Sequence, residues 1–577
     1  MLQSISVEIF DKIRSRFSEL YGDRGERQLE RLMTMVGRYG VGTERRDHNG
    51  LWTESDTILI TYGDSIRNPG EPALQTLRRF AGDFLRPSIG TIHILPFFPY
   101  SSDDGFSVID YRKVRDDVGA WKDVKDLGDD FNLMFDLVLN HVSRKSGWFS
   151  DFERGISPAS RYFIEVDPAT DLSRVVRPRN LPLLTPAQTP AGKRHLWTTF
   201  SDDQFDLNFA NSDVLFEFLD ILFYYISMGV RIVRLDAIAY LWKEIGTPCI
   251  HHPMTHTVVS LFREVLELVA PDVLVLTETN VPHEENISYF GRGDEAHMVY
   301  QFSLPPLLLH ALNTGTARYL TAWAAGLSDI PPQCTYLNFT ASHDGIGVRP
   351  LEGIVPEKEI ETLLHEMRRR GGRISTKRNA DGTQSPYELN ITYFDALGDP
   401  DSDDTDLHTR RFLCSQAVAL GLQGIPAVYV HSLFGARNDI EGVERTGQAR
   451  SINRMRWSDG DLRARLGNPN ADERKVFDAY TRMLEIRRKQ PAFHPDAGQR
   501  VFDIDDRVFA VERFRPEADA GVLCLFNLSS NAVQIQIPAD MSMPSGGQLR
   551  DLLSGDSCNG DSASLDPYQV MWLTRQR

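Results

Sequence analysis

The chain has 577 residues, and its 63 lysines and arginines against 80 aspartates and glutamates give a formal net charge of −17. Because nucleic-acid binding depends on clustered basic residues, this acidic balance excludes a phosphate backbone as the main partner. Hydrophobic residues make up 41% and aromatic residues 10% of the chain, which is enough apolar surface for a packed core and excludes general disorder.

The pattern of residues 1–55 predicts an amphipathic helical extension that packs outside the main domain. They begin with MLQSISVEIFDKIRSRF, whose spaced charges and lack of a continuous apolar core do not resemble a secretory signal. No stretch approaches the ~18 consecutive apolar residues of a membrane span. The five cysteines are scattered and form no CxxC pair, which is typical of reduced thiols. We therefore expect a cytoplasmic protein that has no membrane partner.

From residue 57 onward, short runs rich in β-branched and aromatic residues alternate with segments of helical spacing. The runs are apolar along their whole length, as are parallel strands that helices cover on both faces. Eight such runs predict a (β/α)8 barrel over residues 56–495. They begin at Thr57, Thr91, Asn132, Val230, Leu274, His297, Cys334 and Pro426.

Two intervals of the barrel are too long for simple loops, and long loops often form lids or binding walls. The first, about residues 148–212, contains VVRPRNLPLLTPAQTP, whose prolines predict an irregular excursion after the third strand. The second, about residues 350–410, contains the predicted helix PEKEIETLLHEMRRRGG and then the polar segment STKRNADGTQSPYELNITYFDALGD. Residues 496–577 change to short alternating strands, which predict a small antiparallel β domain.

Acidic residues follow the C-terminal ends of several predicted strands. Because these ends converge at one mouth of a barrel, residues distant in sequence meet around one pocket. Asp236 and Glu278 follow neighbouring strands, where the nucleophile and the acid of a retaining glycosidase can lie about 5 to 5.5 Å apart. Arg234 shares a strand face with Asp236, so we expect its charge to hold Asp236 ionised. The alternative is that these acids cap helices or form structural ion pairs.

Four motifs occur in order, one at each of four strand ends: DLVLNH from Asp136, GVRIVRLDA from Gly229, TETN with Glu278, and ASHD ending at Asp344. With QFDLN from Gln204, they resemble the conserved regions of the α-amylase family, glycoside hydrolase family 13. The resemblance implies that Asp236 is the nucleophile, that Glu278 is the general acid/base, and that Asp344 stabilises the transition state. It also implies substrate-binding roles for His141, Phe200, Gln204, Arg234 and His343.

The segment PFFPYSSDDGFSVIDY, from Pro96, resembles the donor-site wall of the sucrose phosphorylase-type subfamily. This implies that Asp103 and Arg450 bind the far hydroxyls of a single glucosyl unit and that Phe106 stacks near its ring. The motifs RPRNLP, YELNITYFDALG and GQARSINR also match this subfamily. They imply a phosphate and acceptor site formed by Arg179, Tyr387 and Glu388, although RPRN could instead be a solvated surface turn.

The long N-terminal extension, and Glu388 where sucrose phosphorylases typically have glutamine, resemble the members that act on glucosylglycerate. The implied reaction is cleavage of 2-O-α-D-glucosylglycerate by inorganic phosphate, giving α-D-glucose 1-phosphate and D-glycerate through a covalent glucosyl-aspartate. It needs no cofactor and no metal. The resemblance also implies that the partners are small substrates and that the chain is a monomer or a homodimer. The candidates for binding the glycerate carboxylate are Arg177, Arg179, Lys377 and Arg378.

Several alternatives stay open at this point. A different acceptor would make the substrate sucrose, sucrose 6-phosphate or glucosylglycerol, and an α-glucosidase or transglucosidase would not need phosphate. An inactive barrel could serve as a scaffold. The basic run Arg368–Arg373 is either a second phosphate site or a complement to a helix dipole. His251, His252 and His256 have a spacing that could bind zinc or belong to a protein surface.

Overall fold

The computed structural model describes residues 2–39, 50–327, 329–379, 383–539, 541 and 548–575, apart from the side chains of residues 2–6, 378 and 559. Eight parallel strands close into a barrel in which each strand pairs with the next along the chain and the last pairs with the first. They are β1 Ile58–Thr61, β2 Thr91–Ile94, β3 Asn132–Val138, β4 Val230–Asp236, β5 Leu274–Thr277, β6 Met298–Tyr300, β7 Thr335–Phe339 and β8 Ile425–Tyr429. The predicted barrel is confirmed, and each of the eight apolar runs contributes one strand.

Two helices precede the barrel, α1 Leu2–Tyr21 and α2 Gly25–Tyr39. Further helices follow the strands and cover the outside of the barrel. They are α3 Ala73–Phe84, α4 Trp121–Gly128, α5 Ser212–Ser227, α6 Pro253–Val269, α7 His283–Ile287, α8 Leu304–Thr314, α9 Thr405–Gly421 and α10 Asp472–Arg487. The strands are buried because these helices close over their outer faces.

The N-terminal helices pack on the two barrel helices that flank β4. On α5, Arg31 pairs with Asp213 at 2.7 Å. On α6, Arg16 pairs with the buried Glu264 at 3.1 Å. The extension is therefore helical over residues 2–39 and irregular over residues 50–55, whereas residues 40–49 lie outside the described residues. The predicted boundary at residue 55 stays a prediction.

The first insertion contains more regular structure than its prolines predicted. Its strands Leu184–Thr189 and Gly192–Trp197 form an antiparallel hairpin, in which Pro186 is paired with His195. Proline is compatible with such a two-stranded sheet because each strand keeps a free edge. The strand Gln204–Asp206 then pairs with His141–Ser143 and ties the insertion to the end of β3.

The second insertion begins as predicted and then differs. The helix Glu357–Arg369 follows Pro356, its N-terminal cap residue. The polar segment after it forms the strands Arg373–Arg378 and Gln384–Asn390, which join Ile346–Gly347 in a three-stranded antiparallel sheet. The register pairs Leu389 with Ile346 on one side and with Ile374 on the other, and Leu389 and Ile346 are buried. Because these apolar residues lie on three different strands, no single strand carries a hydrophobic periodicity that reveals the sheet.

The C-terminal part is antiparallel β structure, as predicted. Its strands are β9 Gly498–Asp505, β10 Val508–Arg515, β11 Ala520–Asn527, β12 Val533–Gln536, β13 Gln548–Asp551, β14 Ser557–Asn559, β15 Ser562–Leu565 and β16 Val570–Arg575. Six strands form one sheet, while β12 pairs with β15. Across the described ranges, no helix combines the length and the apolar character that crossing a membrane requires.

Candidate active site

A pocket opens where β4, β5 and β7 end. Among the residues predicted to catalyse the reaction or to bind the sugar or phosphate, Arg234 alone does not line this pocket, and it contacts Asp236. The predicted residues that do line it are Asp103, Phe106, His141, Arg179, Phe200, Gln204, Asp236, Glu278, His343, Asp344, Tyr387, Glu388 and Arg450. The barrel thus brings together side chains from distant parts of the chain.

The nucleophile and acid candidates lie beside each other. Arg234 and Asp236 are two residues apart on β4 and share one face, where Arg234 Nη1 lies 2.7 Å from Asp236 Oδ1. Arg234 Nη2 lies 4.0 Å from Glu278 Oε2. Ala237 has a φ of 49°, and its N–H donates to Glu278 Oε2 at 3.0 Å. This left-handed residue directly after the nucleophile therefore helps to place the acid.

Both carboxyls of this pair have raised pKa values, whereas the sequence indicated only the lowering effect of Arg234 on Asp236. Burial, opposed by Arg234, raises the pKa of Asp236 well above its ordinary value, and Glu278 and Asp136 raise it further. Burial likewise raises the pKa of Glu278. Arg234 does not keep Asp236 strongly acidic, because the same guanidinium also contacts Asp136. Since Arg234 lies closer to Asp236 than to Glu278, we assign the proton shared by the pair to Glu278.

The third carboxylate belongs to an ion-pair network at the closed end of the pocket. Arg450 Nη1 lies 2.6 Å from Asp344 Oδ1. Arg450 also donates to both oxygens of the buried Glu388, at 2.5 and 3.2 Å, and lies 4.0 Å from Asp103. Burial opposes ionisation of Asp344, but the charge of Arg450 prevails and lowers the pKa of Asp344 well below its ordinary value. Asp344 is therefore ionised at neutral pH.

Arg454 completes this network and was missed in the sequence. Its Nη1 lies 2.8 Å from Asp104 Oδ2 and 4.0 Å from Asp103 Oδ1, and its Nε donates to the carbonyl of His343 at 2.8 Å. Asp103 and Asp104 have φ values of 53° and 48°, so this donor wall is a strained turn. The available signal was the second arginine of GQARSINR, four positions after Arg450.

Neutral rings form the side wall of the pocket. Phe106 stacks on His343 with ring centroids 4.8 Å apart. His141 Nε2 lies 2.9 Å from the carbonyl of Phe106 and 3.1 Å from Gln204 Nε2, and its ring lies 5.3 Å from that of Phe200. Burial lowers the pKa of His343 to about 3 and also lowers the pKa of His141. Both histidines are thus neutral hydrogen-bonding groups at neutral pH.

A buried lysine joins the first insertion to the barrel behind His141. Lys243 Nζ lies 2.5 Å from Asp206 Oδ2 and 2.5 Å from Asn140 Oδ1. Asp206 also accepts from the backbone N–H of Thr199 at 2.9 Å. Lys243 was not among the predicted site residues, and in the segment AYLWKE it is the first of two adjacent charges after an apolar run. Among the described residues, no group of three or more potential ligands is arranged to hold a metal ion.

The acceptor side of the pocket is built from the two insertions. Arg179, on the first insertion, lies with its guanidinium 5.8 Å from the centroid of the Tyr387 ring on the second. The next residue, Asn180, donates from Nδ2 to the carbonyl and to Oγ1 of Thr376, both at 3.1 Å. Burial raises the pKa of Tyr387 to about 12, so its phenol keeps its proton. Two hydrogen bonds therefore link the insertions next to Arg179.

The other basic candidates lie outside the pocket lining. Arg177 donates to the carbonyl of Leu181. Lys377 is half-buried on the hairpin of the second insertion, and the side chain of Arg378 lies outside the described residues. Of the four cations that the sequence offered for a carboxylate, Arg179 is therefore the one that lines the pocket as described.

The two weaker hypotheses have structural explanations. His251, His252 and His256 each pair with a different acid, Glu285, Glu244 and Glu295, at 3.1, 2.9 and 2.8 Å. In the basic run, Arg368 and Arg369 lie in the last turn of the helix Glu357–Arg369, where they complement its dipole. Arg369 also pairs with Asp401 at 2.7 Å. These contacts favour structural roles over a zinc site or a second phosphate site.

Comparison with known proteins agrees with this geometry. The family model described as the alpha amylase catalytic domain matches residues 87–344 of this chain. The chain is 46% identical over 592 residues to a glucosylglycerate phosphorylase of Spirochaeta thermophila, an alignment that covers 99% of this chain and 100% of that protein. It is 32% identical to a sucrose phosphorylase of Agrobacterium vitis, over 76% of this chain and 88% of the relative.

A solved structure shows the same fold. The crystal structure of sucrose 6F-phosphate phosphorylase from Thermoanaerobacter thermosaccharolyticum superposes with a TM-score of 0.72 at 25% identity. The match covers 84% of this chain and 96% of that structure. The similarity to phosphorylases therefore extends over sequence and fold.

Proposed function

Because the chain belongs to the α-amylase family, glycoside hydrolase family 13, we propose that Asp236 and Glu278 carry out a retaining glucosyl transfer. The observation that carries this proposal is their placement: Asp236 is buried, Glu278 is half-buried, and both line one pocket and contact Arg234. Arg234 stabilises the ionised form of Asp236, and burial keeps a proton on Glu278. The pair thus combines a nucleophile with a general acid.

The reaction is the phosphorolysis of glucosylglycerate, in two displacements at C1 of glucose. In the first, Asp236 attacks C1, Glu278 protonates the departing oxygen, and glycerate departs. The glucosyl group stays bound to Asp236 as a covalent ester. In the second, a phosphate oxygen attacks C1, Glu278 accepts its proton, and the electron pair of the broken ester bond returns to Asp236. Two inversions preserve the α configuration, so the products are glycerate and α-D-glucose 1-phosphate.

The closed end of the pocket supports a single glucosyl unit. Asp344, Asp103 and Arg450 present hydrogen-bonding groups there, and the ion pairs among them hold each in place. We assign sugar hydroxyls to these three residues and the ring face to Phe106. Because Asp344 is ionised, it also stabilises the positive charge that develops at the sugar ring in the transition state.

Arg179 and Tyr387 support the choice of phosphate as the acceptor. A guanidinium offers a planar set of donors that matches the oxygens of a phosphate. Tyr387 keeps its phenol proton, so it adds a neutral donor without an opposing charge. We assign both residues to phosphate in the second displacement.

Product analysis tests this function. Incubation with glucosylglycerate and phosphate is expected to release glycerate and glucose 1-phosphate in equal amounts. Proton NMR of the glucose 1-phosphate that forms initially should show the α anomer. Sucrose, sucrose 6-phosphate and glucosylglycerol, given with phosphate, are expected to react more slowly. If any of these three substrates reacts faster than glucosylglycerate, glycerate is not the natural leaving group. Free glucose formed without phosphate would identify a hydrolase.

Three further assignments from the sequence belong to this proposal. We place the protein in the cytoplasm, where thiols such as its five cysteines stay reduced. We expect a monomer or a homodimer. We also keep the boundaries near residues 55 and 495, with the insertions at about 148–212 and 350–410, as the proposed domain division.

A further inference from the structure

The proposed reaction brings two different anions into one acidic pocket. Glycerate carries a carboxylate in the first displacement, and phosphate carries its charge in the second. Among the described residues that line the pocket, five are carboxylates and two are arginines. The carboxylates are Asp103, Asp236, Glu278, Asp344 and Glu388, and the arginines are Arg179 and Arg450. Binding an anion here therefore depends on which arginine has charge to offer.

Arg450 is already neutralised. It pairs with Asp344 at 2.6 Å and with both oxygens of Glu388, and Glu388 is only 1% exposed. An incoming anion would have to displace both carboxylates from Arg450, and breaking the pair with the buried Glu388 is costly. Glu388 consequently acts on the pocket through Arg450.

Arg179 is in the opposite situation. In the part of the chain that the structure describes, its guanidinium lies 5.8 Å from the centroid of the Tyr387 ring and forms no ion pair with a carboxylate. Against the effect of burial, and after Arg450 and Arg454, it also helps to lower the pKa of Asp103. It is half-buried, so its charge is less screened than that of a surface arginine. The two hydrogen bonds from Asn180 to Thr376 hold its loop against the second insertion.

We propose that Arg179 is one anion subsite that two substrates use in turn: it binds the carboxylate of glycerate in the first displacement and phosphate in the second. This rests on the proposed function and names the residue that selects a charged acceptor. The subsite distinguishes glycerate from glycerol, which lacks the carboxylate. It also requires that glycerate leave before phosphate binds.

The first displacement moves the negative charge of the reacting pair from Asp236 to Glu278. Asp236 loses its charge when it forms the glucosyl ester, and Glu278 becomes ionised when it gives its proton to the departing oxygen. The Glu278 carboxylate can then accept the proton of the attacking phosphate, while Arg179 supplies the positive charge that binds this anion.

The test uses α-glucosyl fluoride as the donor, because fluoride leaves without a carboxylate and reports formation of the glucosyl-enzyme by itself. Wild type, Arg179→Gln and Arg179→Lys are compared with glycerate, glycerol or phosphate as the acceptor. Arg174→Gln is the matched control, since it removes the same charge from an exposed position five residues earlier in the same segment. The measured quantities are fluoride release and the rate of each transfer product.

Loss of one charge-assisted contact predicts that Arg179→Gln lowers transfer to glycerate and to phosphate by about 10- to 100-fold each, with transfer to glycerol nearly unchanged. Arg179→Lys should recover part of both rates, and Arg174→Gln should match wild type. If Arg179→Gln lowers transfer to phosphate but keeps the preference of glycerate over glycerol, the shared subsite is wrong. If it changes neither, Arg179 binds neither anion. Failure of wild type to release fluoride would instead contradict the proposed glucosyl transfer itself.

Discussion

The two ends of the pocket are held together in different ways. At the donor end, Arg450 and Arg454 face several carboxylates in an ion-pair network, and one of these carboxylates, Glu388, comes from the second insertion. At the acceptor end, Arg179 and Tyr387 come from two separate insertions that are linked by the hydrogen bonds of Asn180. The donor end is thus preorganised for one sugar, whereas the acceptor end presents Arg179, which forms no ion pair with a carboxylate among the described residues.

This difference follows from the chemistry that each end serves. A glucosyl unit occupies the donor end in both displacements, so contacts there can be permanent. Two acceptors must bind and leave at the other end, and a cation already paired with a protein carboxylate would bind them weakly. Variants that act on only one end should therefore change either glucosyl transfer or acceptor choice, but not both.

The largest effect is expected at the nucleophile, which both acceptors require. Asp236→Asn removes the attacking oxygen anion and should lower turnover roughly 10^4- to 10^6-fold with any acceptor. Glucose 1-phosphate formation measures the loss, and an unchanged thermal unfolding midpoint would show that the barrel is intact. Activity above a trace would contradict the assignment.

The loss of rate on replacing Glu278 should be larger for a leaving group that needs protonation than for one that does not. Glu278→Gln cannot protonate the glycerate oxygen, so cleavage of glucosylglycerate should fall roughly 10^2- to 10^4-fold. Fluoride needs no proton, so fluoride release from α-glucosyl fluoride should fall far less. An equal loss with both donors would place Glu278 outside the acid role.

The same residue sets the pH dependence of the first displacement. Burial raises the pKa of Glu278, and the reaction needs its protonated form. As pH rises through that raised pKa, Glu278 loses its proton and kcat/KM for glucosylglycerate should decline. The decline should be absent for α-glucosyl fluoride and in Glu278→Gln. A decline of equal size with α-glucosyl fluoride would show that a group other than Glu278 causes the pH dependence.

An exchange at the donor end should leave acceptor choice unchanged. Glu388→Gln keeps the shape of the side chain but removes one buried partner of Arg450, a loss of about 1 to 3 kcal/mol. We expect kcat/KM for glucosyl fluoride to fall roughly 10- to 100-fold, because the donor network loosens. The ratio of glycerate to glycerol transfer should stay constant. A change in that ratio would return Glu388 to the acceptor role that the sequence suggested.

The sequence predicted the barrel and the location of the reacting carboxylates because both depend on strong local patterns. Apolar runs mark parallel strands, and residues after those runs must meet at one mouth. Asp236 and Glu278 could therefore be placed together without knowledge of any side-chain contact. The C-terminal sheet was similarly visible from alternating strands.

The sequence could not predict which charged groups pair with one another or which arginine is shared by two carboxylates. The sequence placed Arg234 beside Asp236 but gave no indication that Asp136 takes part of its charge. Arg454 and Lys243 were missed because their partners are distant in the chain and no local pattern identifies a pair. The hairpin that carries Tyr387 was missed because its strands are mostly polar and their apolar residues, Ile374 and Leu389, meet only across the strands.

The smallest effect tests the link between the insertions. Asn180→Ala removes two neutral hydrogen bonds to Thr376, each worth about 0.5 to 1.5 kcal/mol, so Arg179 should be held less firmly. We expect the KM for phosphate and for glycerate to rise about 2- to 10-fold, while fluoride release from α-glucosyl fluoride stays at the wild-type rate.

Thr376→Val provides the matched variant, since it removes Oγ1 but keeps the carbonyl that Asn180 also reaches. Its effect on both KM values should be smaller than that of Asn180→Ala, and the double variant should be no worse than Asn180→Ala alone. Such non-additivity would show that the two residues act through one contact. Additive effects would mean that each side chain acts on the acceptor separately, and the acceptor end would then not depend on the link between its two insertions.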